Sequence, residues 1–287
     1  MSFNRSLFII FINFQSYLIL ALKLNTYYLS ENLEFLNKLD SEFIDLIYID
    51  PPFFSGVDYK EFSDQWSSLE EYLNFMRLRI VEMHRVLKKS GSFYCHCDAS
   101  AVFDLKPLCD KIFGKKLFRR EIIWNVGSVS GFKSQVKGWV RQHSTILYYT
   151  KSNDYTFNKQ YTPYKEEYIK KMFRYQDEDG RLYRKRRGGR QYLDERPGNV
   201  VGDVWNDIYS YQTRTRSKEY LGYPTQKPEL LLERLISASS NEGDLVADFF
   251  CGTGTTLAVA MNLGRNWIGV DNNINAIELC KKRLNIT

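Results

Sequence analysis

No Cys-x-x-Cys pair occurs in this chain, and its five cysteines (Cys95, Cys97, Cys109, Cys251 and Cys280) are an odd set. That argues against a disulfide framework and a zinc ribbon and fits a reducing, cytoplasmic setting. Nor do the three histidines (His84, His96 and His143) form a recognisable constellation, and His84 reads as a helix-surface residue. Cys95-His96-Cys97-Asp98 has the composition of a metal site, but it continues Ser92-Phe93-Tyr94 as a strand, where neighbours point to opposite faces. Ligands in a row cannot close a tetrahedron, so no metal is expected. A long clean apolar run is missing as well. Leu7 to Leu22 is interrupted by Asn13, Gln15 and Ser16, short of the roughly 20 residues a spanning helix needs. Ala21 alone makes a poor signal-peptidase site. Residues 1–24 are therefore expected to be an extension that packs on the domain, or an upstream addition from a misassigned start, with no membrane partner. The formal charge of +6 is small, permitting a polyanionic partner without requiring one. No internal repeat is visible.

What is present is a chain of 287 residues, enough for one α/β domain and a smaller insert. Helical spacing appears in Glu31 to Leu39 and again in Leu69, Leu73, Met76, Ile80, Met83 and Leu87. The second pattern is expected to close at Lys88-Lys89-Ser90-Gly91, basic residues followed by glycine. Phe43 to Ile49, Ser92 to Cys97, Leu245 to Phe250 and Trp267 to Asp271 read as strands, with Glu121 to Asn125 and Thr145 to Thr150 as a further pair. Helices are expected at Glu229 to Ser237, Thr255 to Leu263 and Ile274 to Leu284. Strands alternating with helices imply a doubly wound, mostly parallel sheet.

Two strand ends carry chemistry. Leu245 to Phe250 runs into Cys251-Gly252-Thr253-Gly254-Thr255-Thr256, a strand, a tight glycine turn and a helix start that bring a ligand against backbone N–H groups. Asp271 ends the next strand, where a carboxylate can accept from ribose hydroxyls. Leu257 stands where a dinucleotide fingerprint has its third glycine. S-adenosylmethionine has no pyrophosphate, so this shorter turn can serve it, with Asp248 near the methionine moiety.

The other strand end is Asp50-Pro51-Pro52-Phe53. An exocyclic base amine is a poor nucleophile because its lone pair is delocalised into the ring. Acceptors against both N–H bonds, the Asp50 carboxylate and the carbonyl between the prolines, favour localisation of that pair. The prolines fix the backbone and so preorganise both acceptors. Phe53 offers an aromatic face to a flipped-out base, for which stacking is worth about 1–3 kcal/mol.

Together these motifs resemble the amino-methyltransferases of bacterial restriction-modification systems. Asp50-Pro51-Pro52-Phe53 matches their catalytic motif, Asp248 to Thr256 looks like their cofactor motif, and Tyr223-Pro224-Thr225-Gln226-Lys227-Pro228-Glu229 is similar to a further cofactor segment. The resemblance implies a class I S-adenosylmethionine-dependent methyltransferase fold of permuted, β-group motif order with an inserted target-recognition region. It implies that Asp50, Pro51, Pro52 and Phe53 are catalytic. It places Asp248, Phe250, Gly252, Gly254, Thr255, Thr256, Asp271, Thr225 and Lys227 around S-adenosylmethionine, with Pro228 opening a helix. Ser30-Glu31 stands where relatives often carry Gly-Asp, so no cofactor role is assigned there. Cytosine-N4 enzymes more often have serine at position 50, which favours adenine N6.

The implied layout is an extension over residues 1–24, a catalytic half over 25–150, a recognition insert over 151–221 and a cofactor-binding half over 222–287. Arg181, Arg184, Lys185, Arg186, Arg187 and Arg190 crowd the insert, interleaved with Tyr175, Tyr183 and Tyr192. They are expected to contact double-stranded DNA, neutralising phosphates and reading guanine edges. A cognate restriction endonuclease and a homodimer are further partners that the resemblance leaves open.

Overall fold

The order of apolar strands and amphipathic helices becomes a mixed main sheet with helices on its faces. The computed structural model describes residues 22–59, 63–127, 135–211, 217–223 and 225–285. The N-terminal apolar segment up to residue 21, and Pro224, lie outside the described residues. The first half of the chain gives β1 (Thr26–Leu29), α1 (Asn32–Leu36), β2 (Ile44–Ile49), α2 (Leu69–Val86), β3 (Leu87–Cys97), α3 (Val102–Cys109), β4 (Phe118–Asn125) and β5 (His143–Thr150). Residues Asn158–Gly202 cluster as a compact unit of their own. It contains β6 (Tyr161–Pro163), α4 (Glu166–Met172), β7 (Tyr175–Gln176), β8 (Leu182–Arg186), β9 (Gly189–Tyr192) and β10 (Gly198–Val200). The chain then returns through β11 (Val204–Trp205), α5 (Glu229–Ser239), β12 (Leu245–Asp248), α6 (Thr255–Asn262), β13 (Asn266–Asp271) and α7 (Ile274–Leu284).

The main sheet has eight strands in the order β1-β13-β12-β2-β3-β5-β4-β11. Strands β1, β13, β12, β2 and β3 run parallel, whereas β5 is antiparallel to both β3 and β4. Alternation along each strand divides the core. Ile47, Ile49, Phe93, Cys95, Leu147 and Tyr149 join one apolar cluster with α1, α2 and α3. Residues of the opposite parity, among them Leu46, Tyr48, Tyr94 and Val246, are buried as well. There α6 packs against β12 and β13 and in turn against α5 and α7. Among the described residues no helix is long and apolar enough to cross a membrane.

Helix α2 shows how the sequence sets its own limits. Ser68 caps its start by accepting from Glu71 N at 3.1 Å, and Glu71 returns the contact by accepting from Ser67 N at 2.8 Å. Tyr72, Met76, Ile80 and Met83 form its buried stripe. The expected closure at Lys88 to Gly91 is corrected by the structure: the helix ends at Val86, and Leu87 already begins β3. Leu87 is fully buried and pairs with Ile44. Lys88 Nζ lies 2.8 Å from both carboxylate oxygens of Asp45 on the neighbouring strand. Gly91 is no cap, because a β-carbon there would meet the Leu87 side chain at 2.7 Å. Its role is close packing.

Met76 lies on the sealed stripe of α2 with no exposed surface. Met76→Ala is expected to destabilise the protein by about 2–5 kcal/mol, through lost burial and the cavity left behind. Urea unfolding would read this as a lower midpoint at unchanged slope.

Candidate active site

Strands β2 and β12 are neighbours and parallel, pairing Leu46 with Val246 and Ile47 with Ala247. Their carboxyl ends therefore deliver Asp50 and Asp248 to the same sheet edge, where ligands of open α/β folds bind. A cavity of about 730 Å³ opens at that edge. Its walls include Asp50, Pro51, Pro52 and Phe53 after β2, Asp248 at the end of β12, and Phe250, Gly252, Thr255 and Thr256 after it. Asp271 closes one side, and Thr225 and Lys227 enter from the segment before α5. Gly254 alone of these expected site residues is not in the wall.

The glycine turn explains its own composition. Gly252 has φ +50° and Gly254 φ +74°, left-handed conformations that disfavour a side chain. At Gly254 a β-carbon would also sit 2.4 Å from Cys280 Sγ. The turn is tied down by Gly252 N donating to Asp271 Oδ2 at 2.8 Å, and Asn273 N donates to Asp271 Oδ1 at 2.8 Å. Asp248 accepts from Thr256 Oγ1 at 2.5 Å and Phe250 N at 3.0 Å. Burial, only partly offset by those bonds, pushes the Asp248 carboxyl up to about 7. Burial likewise raises Asp271.

Asp50 is held by a buried ion pair, its Oδ2 accepting from Lys227 Nζ. Burial raises its carboxyl above the usual range, with Lys227 opposing and Asp98 reinforcing the shift. The other carboxylate oxygen, Oδ1, is buried with no hydrogen-bond partner. A buried acceptor in that state is costly unless a ligand satisfies it.

The residue that organises the loop after Phe53 carries no motif of its own. Asp64, nearly sealed from solvent, gathers Phe53 N at 3.1 Å, Phe54 N at 3.0 Å and Ser55 N at 2.9 Å on its carboxylate. Trp66 Nε1 adds a further bond at 3.0 Å. The wrap forces Phe54 to φ +58°, and Tyr72 Oη fixes Pro52 O at 2.9 Å. An aspartate eleven positions beyond Phe53 gives no local signal of this role in the sequence. Glu31, to which the sequence assigns no role, lines the cavity, caps α1 and pairs with Arg79.

In the compact unit Asn158–Gly202, strands β7, β8 and β9 form a three-stranded sheet. Arg184 is 5% exposed and donates to Tyr168 Oη at 2.6 Å and to Gln191 Oε1 at 3.1 Å. Arg181 pairs with Asp194 and Glu195. Lys185, Arg186, Arg187 and Arg190 are exposed around the β8–β9 turn. Lys185 lies over Tyr175 and Arg190 over Tyr183, each at 4.7 Å.

Residues 44–282 match a family described as DNA methylase, covering N6 and N4 enzymes. The chain is 32% identical to the DNA adenine methyltransferase YhdJ of Escherichia coli K12, over 88% of this chain and 79% of that one. It is 31% identical to the type II methyltransferase M1.MboII of Moraxella bovis, over 92% of this chain and 98% of that one. The crystal structure of the M1.HpyAVI-SAM complex shares the fold, with a TM-score of 0.58 and 19% identity over 91% of this chain and 98% of that one.

Removing Lys227 strands the Asp50 charge. Lys227→Met is expected to cost about 3–5 kcal/mol of stability near pH 8. Asp50 is already raised by burial, and without Lys227 it rises further. A raised carboxyl contributes stability at low pH that is lost as pH climbs through its folded value, so the deficit should shrink near pH 5. Urea unfolding at the two pH values would check this; a pH-independent loss would clear Asp50 as its source.

Proposed function

The chain belongs to the DNA amino-methyltransferase family of restriction-modification type, and from that premise we propose that it methylates the N6 amine of an adenine flipped out of double-stranded DNA. The observation that carries this reading is Asp50 Oδ1, an acceptor buried without a partner at the edge that also bears the glycine turn. The family's cofactor is S-adenosylmethionine, which supplies the methyl group as a sulfonium electrophile. The residues present suit it: Asp248 and Asp271 put two carboxylates in the wall of the cavity beyond the one that Lys227 pairs, a field that favours a cationic ligand.

In this proposal Asp271 and the glycine turn hold the nucleoside end of the cofactor, and Asp248, Phe250 and Thr225 the methionine end. Thr255 and Thr256 begin the helix beneath it. Asp50 Oδ1 accepts one N–H of the target amine and the carbonyl of Pro51 the other, so the nitrogen lone pair is localised for in-line attack. Burial raises the basicity of Asp50, which suits it to hold the proton released as the new bond forms. Lys227 keeps its other oxygen fixed. Phe53 stacks on the base and offsets part of the unstacking cost.

Aspartate at position 50 supports adenine over cytosine N4, as does the similarity to an adenine methyltransferase. The segment 151–221 serves as the recognition region, with Lys185, Arg186, Arg187 and Arg190 against DNA. Arg184 is better read as the buried brace of that unit. We place the enzyme in the cytoplasm, and its type II relatives support pairing with a cognate endonuclease.

Mixed-sequence duplex DNA incubated with methyl-labelled S-adenosylmethionine, then digested to nucleosides, tests the reading directly. Labelled N6-methyladenine is expected; labelled N4-methylcytosine would overturn the base assignment, and no labelled nucleoside would overturn the activity. Asp50→Ala should lower turnover by at least about 100-fold, the scale for losing a preorganised electrostatic partner, while cofactor binding stays within a few-fold. Replacing Arg187 and Arg190 by alanine should flatten the slope of log K against log salt by about 0.9 for each phosphate no longer neutralised. Arg184→Ala should instead lower the melting temperature.

A further inference from the structure

Asp50 Oδ1 is not the only unsatisfied polar atom at this edge. His96 Nε2 is also buried with no hydrogen-bond partner, on a side chain with no exposed surface. The last register pair between the parallel strands β2 and β3 is Ile49 with Cys95. Asp50 and His96 are thus the next residues on adjacent strands. Ile49 and Cys95 both face the α2 cluster, so by alternation Asp50 and His96 both face the other way.

The tautomer follows from the neighbours. Tyr48 Oη lies 2.9 Å from His96 Nδ1. The phenol is fully buried, and that nitrogen is its hydrogen-bond partner, so the phenolic proton points there and Nδ1 accepts. Burial and the Lys227 charge both disfavour the imidazolium. The proton of the neutral ring therefore sits on Nε2, making it a donor. An acceptor on Asp50 and a donor on His96 form a complementary pair for one kind of chemistry, an amine beside a ring nitrogen.

Resting on the adenine reading above, we propose that His96 is a specificity residue that donates a hydrogen bond from Nε2 to the ring nitrogen next to the target amine. Adenine offers that donor–acceptor edge through N6 with N1, or through N6 with N7 across C5, and cytosine offers it through N4 and N3. Guanine and thymine place a carbonyl where Asp50 needs a donor and, on the pairing edge, an N–H where His96 needs an acceptor. The two side chains together thus admit an amine beside a ring acceptor and reject a carbonyl beside a ring N–H. The Phe53 ring packs 6.0 Å from the imidazole and the Trp124 ring 5.7 Å from it. Phe53 is half-buried, and the proposal requires it to swing onto the incoming base and so uncover Nε2.

The test uses duplexes carrying the enzyme's own site, identified from the sequences it methylates in a random library. The target adenine is replaced by 1-deazaadenine or 7-deazaadenine, each lacking one ring acceptor, and kcat/KM is compared for the wild type and His96→Leu. The wild type should lose roughly 10- to 100-fold on one analogue, the scale of a lost buried hydrogen bond. His96→Leu should lose a similar factor on adenine itself and nothing more on that analogue. S-adenosylmethionine affinity should be unchanged in the variant, which shows that it is folded. A purely structural histidine predicts something else: a wild type indifferent to both analogues, or losses that multiply between variant and analogue. Either result overturns the inference. Should His96→Leu not fold, His96→Phe takes its place in the same comparison, and a wild type indifferent to both analogues still overturns the inference. Methylation of cytosine would sink the adenine reading alone, and 3-deazacytosine would then put the same question to His96.

Discussion

The site depends on one pairing, the parallel contact of β2 with β12. About two hundred residues separate these strands, yet each ends in a loop that needs the other. The junction is reinforced at its far end, where Asp45 accepts from Leu245 N at 2.9 Å while also holding Lys88. Because both strands run the same way, their carboxyl ends open at one edge. The glycine turn and the proline pair then face a common cavity. An antiparallel pairing would have put them at opposite edges of the sheet.

That arrangement concentrates charge. Asp50 raises Asp248, and so does Asp271, while Lys227 is paired with Asp50. Burial is the largest cause of the upward shift at all three carboxyls. The edge is therefore short of positive charge, and a cofactor carrying a sulfonium and an ammonium supplies what is missing. The same low-polarity surroundings make every hydrogen bond to a bound base count for more than it would in water.

The compact unit Asn158–Gly202 follows a different logic. It has few aliphatic residues to bury, and its order comes from arginine and tyrosine holding each other. Arg184 is surrounded by Tyr164, Tyr168 and Phe173 and is bonded to Gln191. Arg181 lies 4.0 Å over Tyr192. A cluster that reads in sequence as uniformly basic therefore divides into a buried brace at Arg184, a surface ion pair at Arg181 and exposed cations around the β8–β9 turn.

Sequence alone determined what local pattern can encode. Apolar runs and helical spacing located the inner strands β2, β3, β12 and β13 and helices such as α2 and α6, though not β1 or α3, and strand-end chemistry drew attention to Asp50, Gly252 and Asp271. It failed first at Leu87 to Gly91, where a basic run and a glycine imitate a helix end. Only the pairing of Leu87 with Ile44 and of Lys88 with Asp45 makes that stretch a strand. Tertiary structure alone decided that Asp64 would wrap the loop after Phe53, that Arg184 would be buried, and that His96 Nε2 and Asp50 Oδ1 would both be buried without partners. Periodicity records which face of an element turns inward. Which polar atoms meet, and which are left without partners, is set by contacts between segments far apart in the chain, and no local pattern carries them.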